Sequence, residues 1–218
     1  MQPIFIFVII TVGIIAAALY FIAEEKRRRA MSSLAEKLGL RFYIGKQRGI
    51  IRKYSFINKF HQGRDKYAYN SLYGNFRNHE VNVFDYHYTT GHGKNTQHHH
   101  LSFFLIEIPM VFPELTIVPE GVFSKIGQAL GYDDIDFESH EFSRKYCVRS
   151  KDKKFAYDVC NAKMIDYLLS NTGLSIEIES NVLAIYFNRR LAPENIEKNL
   201  YHLIEIRSLI PDYLFNRR

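Results

Sequence analysis

The first 23 residues contain no charged side chain and are apolar almost throughout from Ile4 to Ile22. No other stretch constrains the fold as strongly. At about 1.5 Å of helical rise per residue, roughly 20 apolar residues span about 30 Å, the thickness of a bilayer's hydrocarbon core. A cleaved signal peptide fits less well, because no basic residue precedes the run and Tyr20 and Phe21 occupy the place where small residues mark a cleavage site. The sequence therefore predicts a transmembrane helix over residues 1–23.

Basic residues follow this apolar run at once. Lys26, Arg27, Arg28 and Arg29 lie directly after it, whereas the residues before it carry only the charge of the amino terminus. By the positive-inside rule, this asymmetry predicts that the chain after Ala23 is cytoplasmic. The sequence has no second apolar run of this length, so we expect a single-pass protein of the cell inner membrane. The four basic side chains are predicted to lie at the membrane surface and to contact anionic lipid headgroups.

Composition bounds the rest of the chain. The 218 residues are 47% hydrophobic and 15% aromatic, which is typical of a folded core and not of a disordered tail. The net charge of +6 is modest, and no basic run interleaved with aromatic residues matches a nucleic-acid-binding module, so we expect no nucleic-acid partner. We divide the chain into a transmembrane helix at 1–23, a basic juxtamembrane helix at 24–39 and one cytoplasmic domain at 40–218.

The periodicity of apolar residues predicts an α+β fold for that domain. The predicted strands cover 40–44, 67–76, 81–88, 99–108, 115–118, 134–138, 142–148, 174–179 and 182–187. The predicted helices cover 30–38, 119–130, 152–160, 161–172 and 193–211. The three central strands are expected to form an antiparallel meander, and the two last strands a hairpin. The apolar residues of 47–61 fit neither the period of a helix nor that of a strand, so this segment is left unassigned. The expected domain is one mixed, mostly antiparallel sheet with inserted helices and a C-terminal helix.

Histidines concentrate in two of the meander strands and the turn between them, namely His87, His92, His98, His99 and His100. Facing residues of an antiparallel pair come within about 5 Å, so His87 could share a transition metal with His98 or His100. Against this, adjacent histidines on a strand alternate between faces, and Asp85 is the only obvious carboxylate nearby. The alternative interpretation is an exposed polar hairpin tip.

Two further groups of residues could take part in chemistry, but each group also has a purely structural explanation. Asp134, Asp136 and Glu138 alternate along a predicted strand, where they could bind a hard cation or act as an acid–base pair. Acidic residues on the solvent face of an edge strand would show the same pattern. Cys147 and Cys160 lack the spacing of a zinc or redox motif, which favours buried, reduced thiols.

Several segments carry a resemblance to a known family. They are NSLYG at 70–74, VFDYHY at 83–88, DIDFES at 134–139 and FS at 142–143. Together they resemble a family of single-pass, membrane-anchored prokaryotic proteins with no assigned activity. The resemblance covers most of the segment after the apolar run. It implies a membrane-anchored architecture and no catalytic residues.

No complete catalytic signature occurs in the sequence, since both the P-loop and the Gly-x-Ser-x-Gly elbow are missing. We therefore expect a non-enzymatic, membrane-tethered cytoplasmic domain that binds a protein partner or the membrane surface and needs no cofactor. The alternative hypothesis is a metal-dependent enzyme that uses His87, His98 and His100.

Overall fold

The structure is a computed structural model that describes residues 3–123 and 134–216. Its helices are α1 (Pro3–Leu38), α2 (Arg48–Lys53), α3 (Glu120–Phe123), α4 (His140–Lys145), α5 (Lys153–Val159), α6 (Ala162–Ser170) and α7 (Ile196–Leu209). Its strands are β1 (Arg41–Tyr43), β2 (Arg64–Phe76), β3 (His79–Thr90), β4 (Gln97–Pro119), β5 (Tyr146–Ser150) and β6 (Ser175–Phe187). Short 3-10 turns cover Asn58–His61, Gly93–Asn95, Pro193–Asn195 and Asp212–Leu214.

Helix α1 runs without a break from the apolar segment into the domain. It has 36 residues, and side chains of its first half, such as Phe7 and Ile14, are exposed. Met31 and Ala35 of its second half are buried against the sheet. By length and composition this helix can cross a membrane. The sequence predicts that residues 30–38 continue the helix of the apolar segment, and α1 shows this continuity.

The sheet is antiparallel and is organised around its longest strand, β4. The strand order is β1-β2-β3-β4-β5, and β6 pairs with the other edge of β4. The first half of β4 pairs with β3, its second half pairs with β5, and β6 runs along both halves. The predicted meander of β2, β3 and β4 is present. The α+β architecture with a mostly antiparallel sheet and a C-terminal helix is confirmed.

Both faces of the sheet are covered, which explains why so much of it is apolar. Phe104 and Ile106 of β4 face a core completed by α5, α6, α7 and the second half of α1. Phe103 and Leu105 point the opposite way, toward the segment from α2 to the 3-10 turn at Asn58–His61. The segment at 47–61, which the sequence leaves unassigned, therefore contains short helices that cover the second face of the sheet.

The predicted hairpin at 174–187 is wrong, because these residues form the single strand β6. Ser180 has a φ of 54° and pairs with Phe112 between two register shifts. The polar pair at 180–181 that resembles a turn is accommodated as an irregularity inside a long strand. Strand β4 is long enough to pair with both halves of β6, so the chain does not need to turn back.

The region after residue 133 also differs from the prediction. Residues 134–138 are not a strand, and α4 occupies much of the strand predicted at 142–148, leaving β5 as its remainder. The Ser139 hydroxyl accepts a hydrogen bond from the Phe142 amide, 3.3 Å away, and so caps α4. In the helix predicted at 119–130, α3 covers the start and residues 124–133 lie outside the described residues. The predicted Asp152 cap of α5 is confirmed, since its carboxylate accepts from the Phe155 amide.

Candidate functional site

Helix α1 is joined to the sheet by a buried ion pair between Arg27 and Asp85. Arg27 Nε donates to one carboxylate oxygen at 2.9 Å, and Nη2 donates to the other at 2.7 Å. The exposed fractions of the two side chains are 8% and 1%. Arg27 Nη1 also donates to the Leu191 carbonyl at 2.5 Å. Because the Arg27 guanidinium donates to both carboxylate oxygens of Asp85, this bidentate ion pair sets the position and the orientation of α1 on the sheet.

Asp85 is buried in the middle of β3 and needs further partners, because a buried carboxylate is costly without them. Asn70 Nδ2 donates to it at 3.0 Å and Ser102 Oγ at 3.3 Å. Asn70 has a φ of 49° at an irregularity of β2 between Tyr69 and Leu72. Asparagine tolerates this left-handed conformation, and the irregularity directs its side chain toward Asp85.

A second contact lies one turn closer to the amino terminus of α1. Glu24 forms an ion pair with Arg190, and Arg190 Nη1 donates to the Tyr69 hydroxyl at 3.3 Å. Burial raises the pKa of Tyr69, so its hydroxyl keeps its proton. That hydroxyl lies 2.8 Å from His100 Nδ1. Burial, together with the charges of His87 and Arg190, lowers the pKa of His100, so the neutral ring can accept a hydrogen bond at Nδ1 from the Tyr69 hydroxyl.

The structure brings three of the five histidines together. His87 lies opposite His100 in the register, and His87, His98 and His100 share the face on which α1 docks. The ring centroid of His87 is 5.3 Å from that of His98 and 5.0 Å from that of His100. His99 points to the other face and stacks on Tyr88, and His92 lies in the turn. Of the two partners that the sequence allows for His87, the register therefore places His100 opposite it.

The facing ring nitrogens already have partners. His87 Nε2 lies 3.0 Å from His98 Nδ1, and His87 Nδ1 lies 3.1 Å from the Asp65 carbonyl. Burial lowers the pKa of His87 as it does that of His100, which leaves both rings neutral at neutral pH, the state that a metal ligand needs. Across residues 3–123 and 134–216, no group of three or more His, Cys, Asp or Glu side chains is arranged to hold a metal ion. A metal at these histidines stays a prediction.

The four basic residues after the apolar run do not act as one group. Lys26, Arg28 and Arg29 are exposed, and Arg29 pairs with Glu25 at 3.0 Å. Arg27 is buried under the domain and is not accessible to a lipid headgroup, which corrects the expectation that all four lie at the membrane surface. The cause is helical geometry, because residues three and four apart share a face and Arg27 lies on the face that docks.

The remaining candidate residues are hydrogen-bonded within the fold, exposed, or buried as free thiols. Asp134 Oδ1 accepts hydrogen bonds from the Val148 amide at 2.7 Å and from its neighbouring amide at 3.0 Å. Asp136 and Glu138 are exposed. Cys147 and Cys160 are buried free thiols, and burial raises the pKa of Cys147 to about 12. A thiol that holds its proton at neutral pH is a poor nucleophile.

Sequence reasoning missed both ion pairs between α1 and the domain. One signal was available for the first, since Asp85 occupies a position of β3 that faces the core like Val83 and therefore needs a cationic partner. Nothing in the sequence identifies Arg27 as that partner among four consecutive basic residues. The pairing of Glu24 with Arg190 joins residues 166 positions apart and leaves no local pattern.

No protein-family model and no curated protein sequence matches the chain. Among solved structures, the chain is similar to the mycobacterial trehalose monomycolate transport factor A, TtfA, with a TM-score of 0.62 and 12% sequence identity. The similarity covers 85% of this chain and 96% of that one. At this identity the likeness establishes a shared fold alone.

Proposed function

We propose that this protein is a single-pass protein of the inner membrane whose cytoplasmic domain is a non-catalytic adaptor for transport at the membrane. The observation that carries the proposal is the buried pair of Arg27 and Asp85. It joins the anchor helix to the centre of the sheet without an intervening linker. A domain held this way keeps one orientation toward the bilayer, which suits a platform for a partner more than a freely tethered enzyme.

The cytoplasmic orientation is supported by the exposed basic residues. Lys26, Arg28 and Arg29 are exposed on α1. They lie directly after the apolar segment, where positive charge favours the cytoplasmic side. The orientation of the chain therefore does not depend on Arg27.

A role in transport is supported by the fold. TtfA, a solved protein of similar architecture, is a transport factor. The likeness supports a general role in transport but does not identify a transported molecule, because only 12% of the aligned residues are identical.

Photo-crosslinking in native membranes tests the adaptor role. A photoreactive phenylalanine analogue would replace, one at a time, the exposed tyrosines Tyr43, Tyr73, Tyr157 and Tyr213. We expect a discrete protein adduct from some of these positions and not from others, because an adaptor presents one surface. We also expect the adduct to decrease in an Arg27→Met background. The absence of any discrete adduct at all four positions would contradict the proposal.

A metal-dependent enzyme remains the second candidate, because His87, His98 and His100 converge on one face. Stoichiometric transition metal in the full-length protein purified from native membranes would favour it. The decisive control is a His87→Ala, His98→Ala, His100→Ala variant, which should lose that metal if the three rings are the ligands.

A further inference from the structure

A cleft of about 430 Å³ lies between α1 and the end of the domain nearest the apolar segment. On the helix side, Tyr20 and Phe21 line it. On the domain side, it is closed by Tyr67 and Tyr69 of β2 and by the loop after β1, including Lys46. Aromatic side chains thus line the cleft from both the helix side and the domain side.

The mouth of this cleft lies at the level where the apolar segment ends. Tyr20 and Phe21 belong to that segment, with exposed fractions of 59% and 71%, and Glu24 follows one turn later. Tyrosine is enriched where a membrane helix leaves the hydrocarbon region. With α1 in a bilayer, the cleft therefore opens into the layer of lipid headgroups.

The charges that line the cleft leave an excess of positive charge. The carboxylate of Glu24 is neutralised by Arg190. Arg28 and Lys46 also line the cleft, and in the portion of the chain that the structure describes neither forms an ion pair with a carboxylate. Lys46 Nζ lies 4.4 Å from the centre of the Tyr67 ring, which holds the ammonium at the wall.

We propose that this cleft binds the phosphate headgroup of an anionic phospholipid from the leaflet that anchors α1. Arg28 and Lys46 contact the phosphate, and the acyl chains extend along the exposed side of Phe21 into the bilayer. Two uncompensated cations beside an exposed apolar helix surface match a ligand with a negative head and apolar tails. The proposal rests on the proposed membrane placement of α1 and adds a specific lipid site to it.

Native mass spectrometry of the full-length protein in detergent tests the site. Dioleoylphosphatidylglycerol would be titrated into wild type, into Arg28→Gln, Lys46→Gln and into the matched control Lys26→Gln, Arg29→Gln. Both variants remove two positive charges, but only the first pair lines the cleft. We expect one retained lipid in wild type and a loss of affinity of about tenfold or more in the cleft variant, with little change in the control. All four side chains are exposed, so both variants should fold, and their melting temperatures check this.

Two further arms identify the source of the phosphate. Dioleoylphosphatidylcholine, which has no net charge, should be retained less than the anionic lipid, and inorganic phosphate should not displace the bound lipid at equal concentration. Equal loss of affinity in the cleft and control variants would overturn the proposal, and so would efficient displacement by inorganic phosphate. The adaptor role is judged separately by the cross-linked partner, so either proposal can fail while the other stands.

Discussion

The guanidinium of Arg27 and the carboxylate of Asp85 form two parallel hydrogen bonds of 2.9 and 2.7 Å across the boundary between helix and sheet. Removing one partner of such a buried pair leaves the other charge uncompensated, which costs about 3–5 kcal/mol. We expect Arg27→Met to lower the free energy of unfolding by this amount, as measured by chemical denaturation of the full-length protein in detergent. Arg29→Met, at an exposed position, should change it by less than about 0.5 kcal/mol.

A double-mutant cycle separates the pair from general packing. Because Arg27→Met, Asp85→Leu removes both charges, the double variant should be less destabilised than the sum of the two single variants. Asn70 and Ser102 lose their shared acceptor in the double variant, so recovery should be partial. Strictly additive effects would mean that the two side chains contribute independently.

Leu203 on the C-terminal helix is fully buried in the core beneath the sheet. Leu203→Asp would place an unpaired carboxylate there, so we expect a loss of several kcal/mol of stability. Lys198→Asp introduces the same group at an exposed position of the same helix and serves as the control. Thermal unfolding measures both, and an unchanged melting temperature for Leu203→Asp would show that this face of the helix is accessible.

Glu177 gives the domain a pH dependence of predictable sign. Burial is the main cause that raises its pKa from 4.5 to about 8, although its carboxylate accepts a hydrogen bond from the Asn58 amide. The folded protein therefore keeps a proton that the unfolded chain releases. The stability that this group contributes is complete below its unfolded pKa and is lost as the pH rises through about 8.

The Glu177→Gln variant removes that titration and keeps the acceptor for Asn58. We expect its melting temperature to exceed that of wild type by a margin that grows between about pH 5 and about pH 9. Burial also raises the pKa of Glu179, to about 7, so some pH dependence should remain in the variant. A difference that is constant across this range would show that Glu177 does not titrate there.

The histidine cluster makes a prediction for metal binding. A specific metal site would stabilise the folded protein by about 2.7 kcal/mol at a hundredfold excess over Kd. His87 Nε2 and His98 Nδ1 already face each other at 3.0 Å, and His100 Nδ1 faces the Tyr69 hydroxyl. We therefore expect zinc or nickel, added to chelator-stripped protein, to raise the melting temperature no more in wild type than in the triple alanine variant. A shift of several degrees confined to wild type would favour the enzyme.

The sequence predicted correctly the elements whose signals come from residues close together in the chain. The length of the apolar run, the alternation in β3 and the Asp152 cap of α5 each depend on residues close in sequence. The continuity of β6 was not predictable, because it depends on the length of its distant partner β4. A turn-like pair at 180–181 has the same local appearance in a hairpin and in an irregular strand.

The grouping of the histidines was predictable from the strand pattern, whereas the contacts of α1 with the sheet were not. Alternation along β3 and β4 was enough to place His87 on one face with His98 or His100, and the register then puts His100 opposite His87. The face of α1 that meets the sheet is set by tertiary packing, which alone separates Arg27 from its basic neighbours. In the sequence alone, the four residues of the basic run cannot be told apart, because the buried partner of Arg27 is distant in sequence.

We expect helix α1 and the domain to form one rigid unit through Arg27 and Asp85. Spin labels at Arg29→Cys on α1 and Lys94→Cys at the turn between β3 and β4 would report their separation by electron–electron double resonance in lipid nanodiscs. Cys147 and Cys160 are buried and can remain in place. We predict a single narrow distance distribution, which broadens when Asp85→Asn removes the charge opposite Arg27. A broad distribution in the otherwise native chain, or one that Asp85→Asn leaves unchanged, would contradict this account.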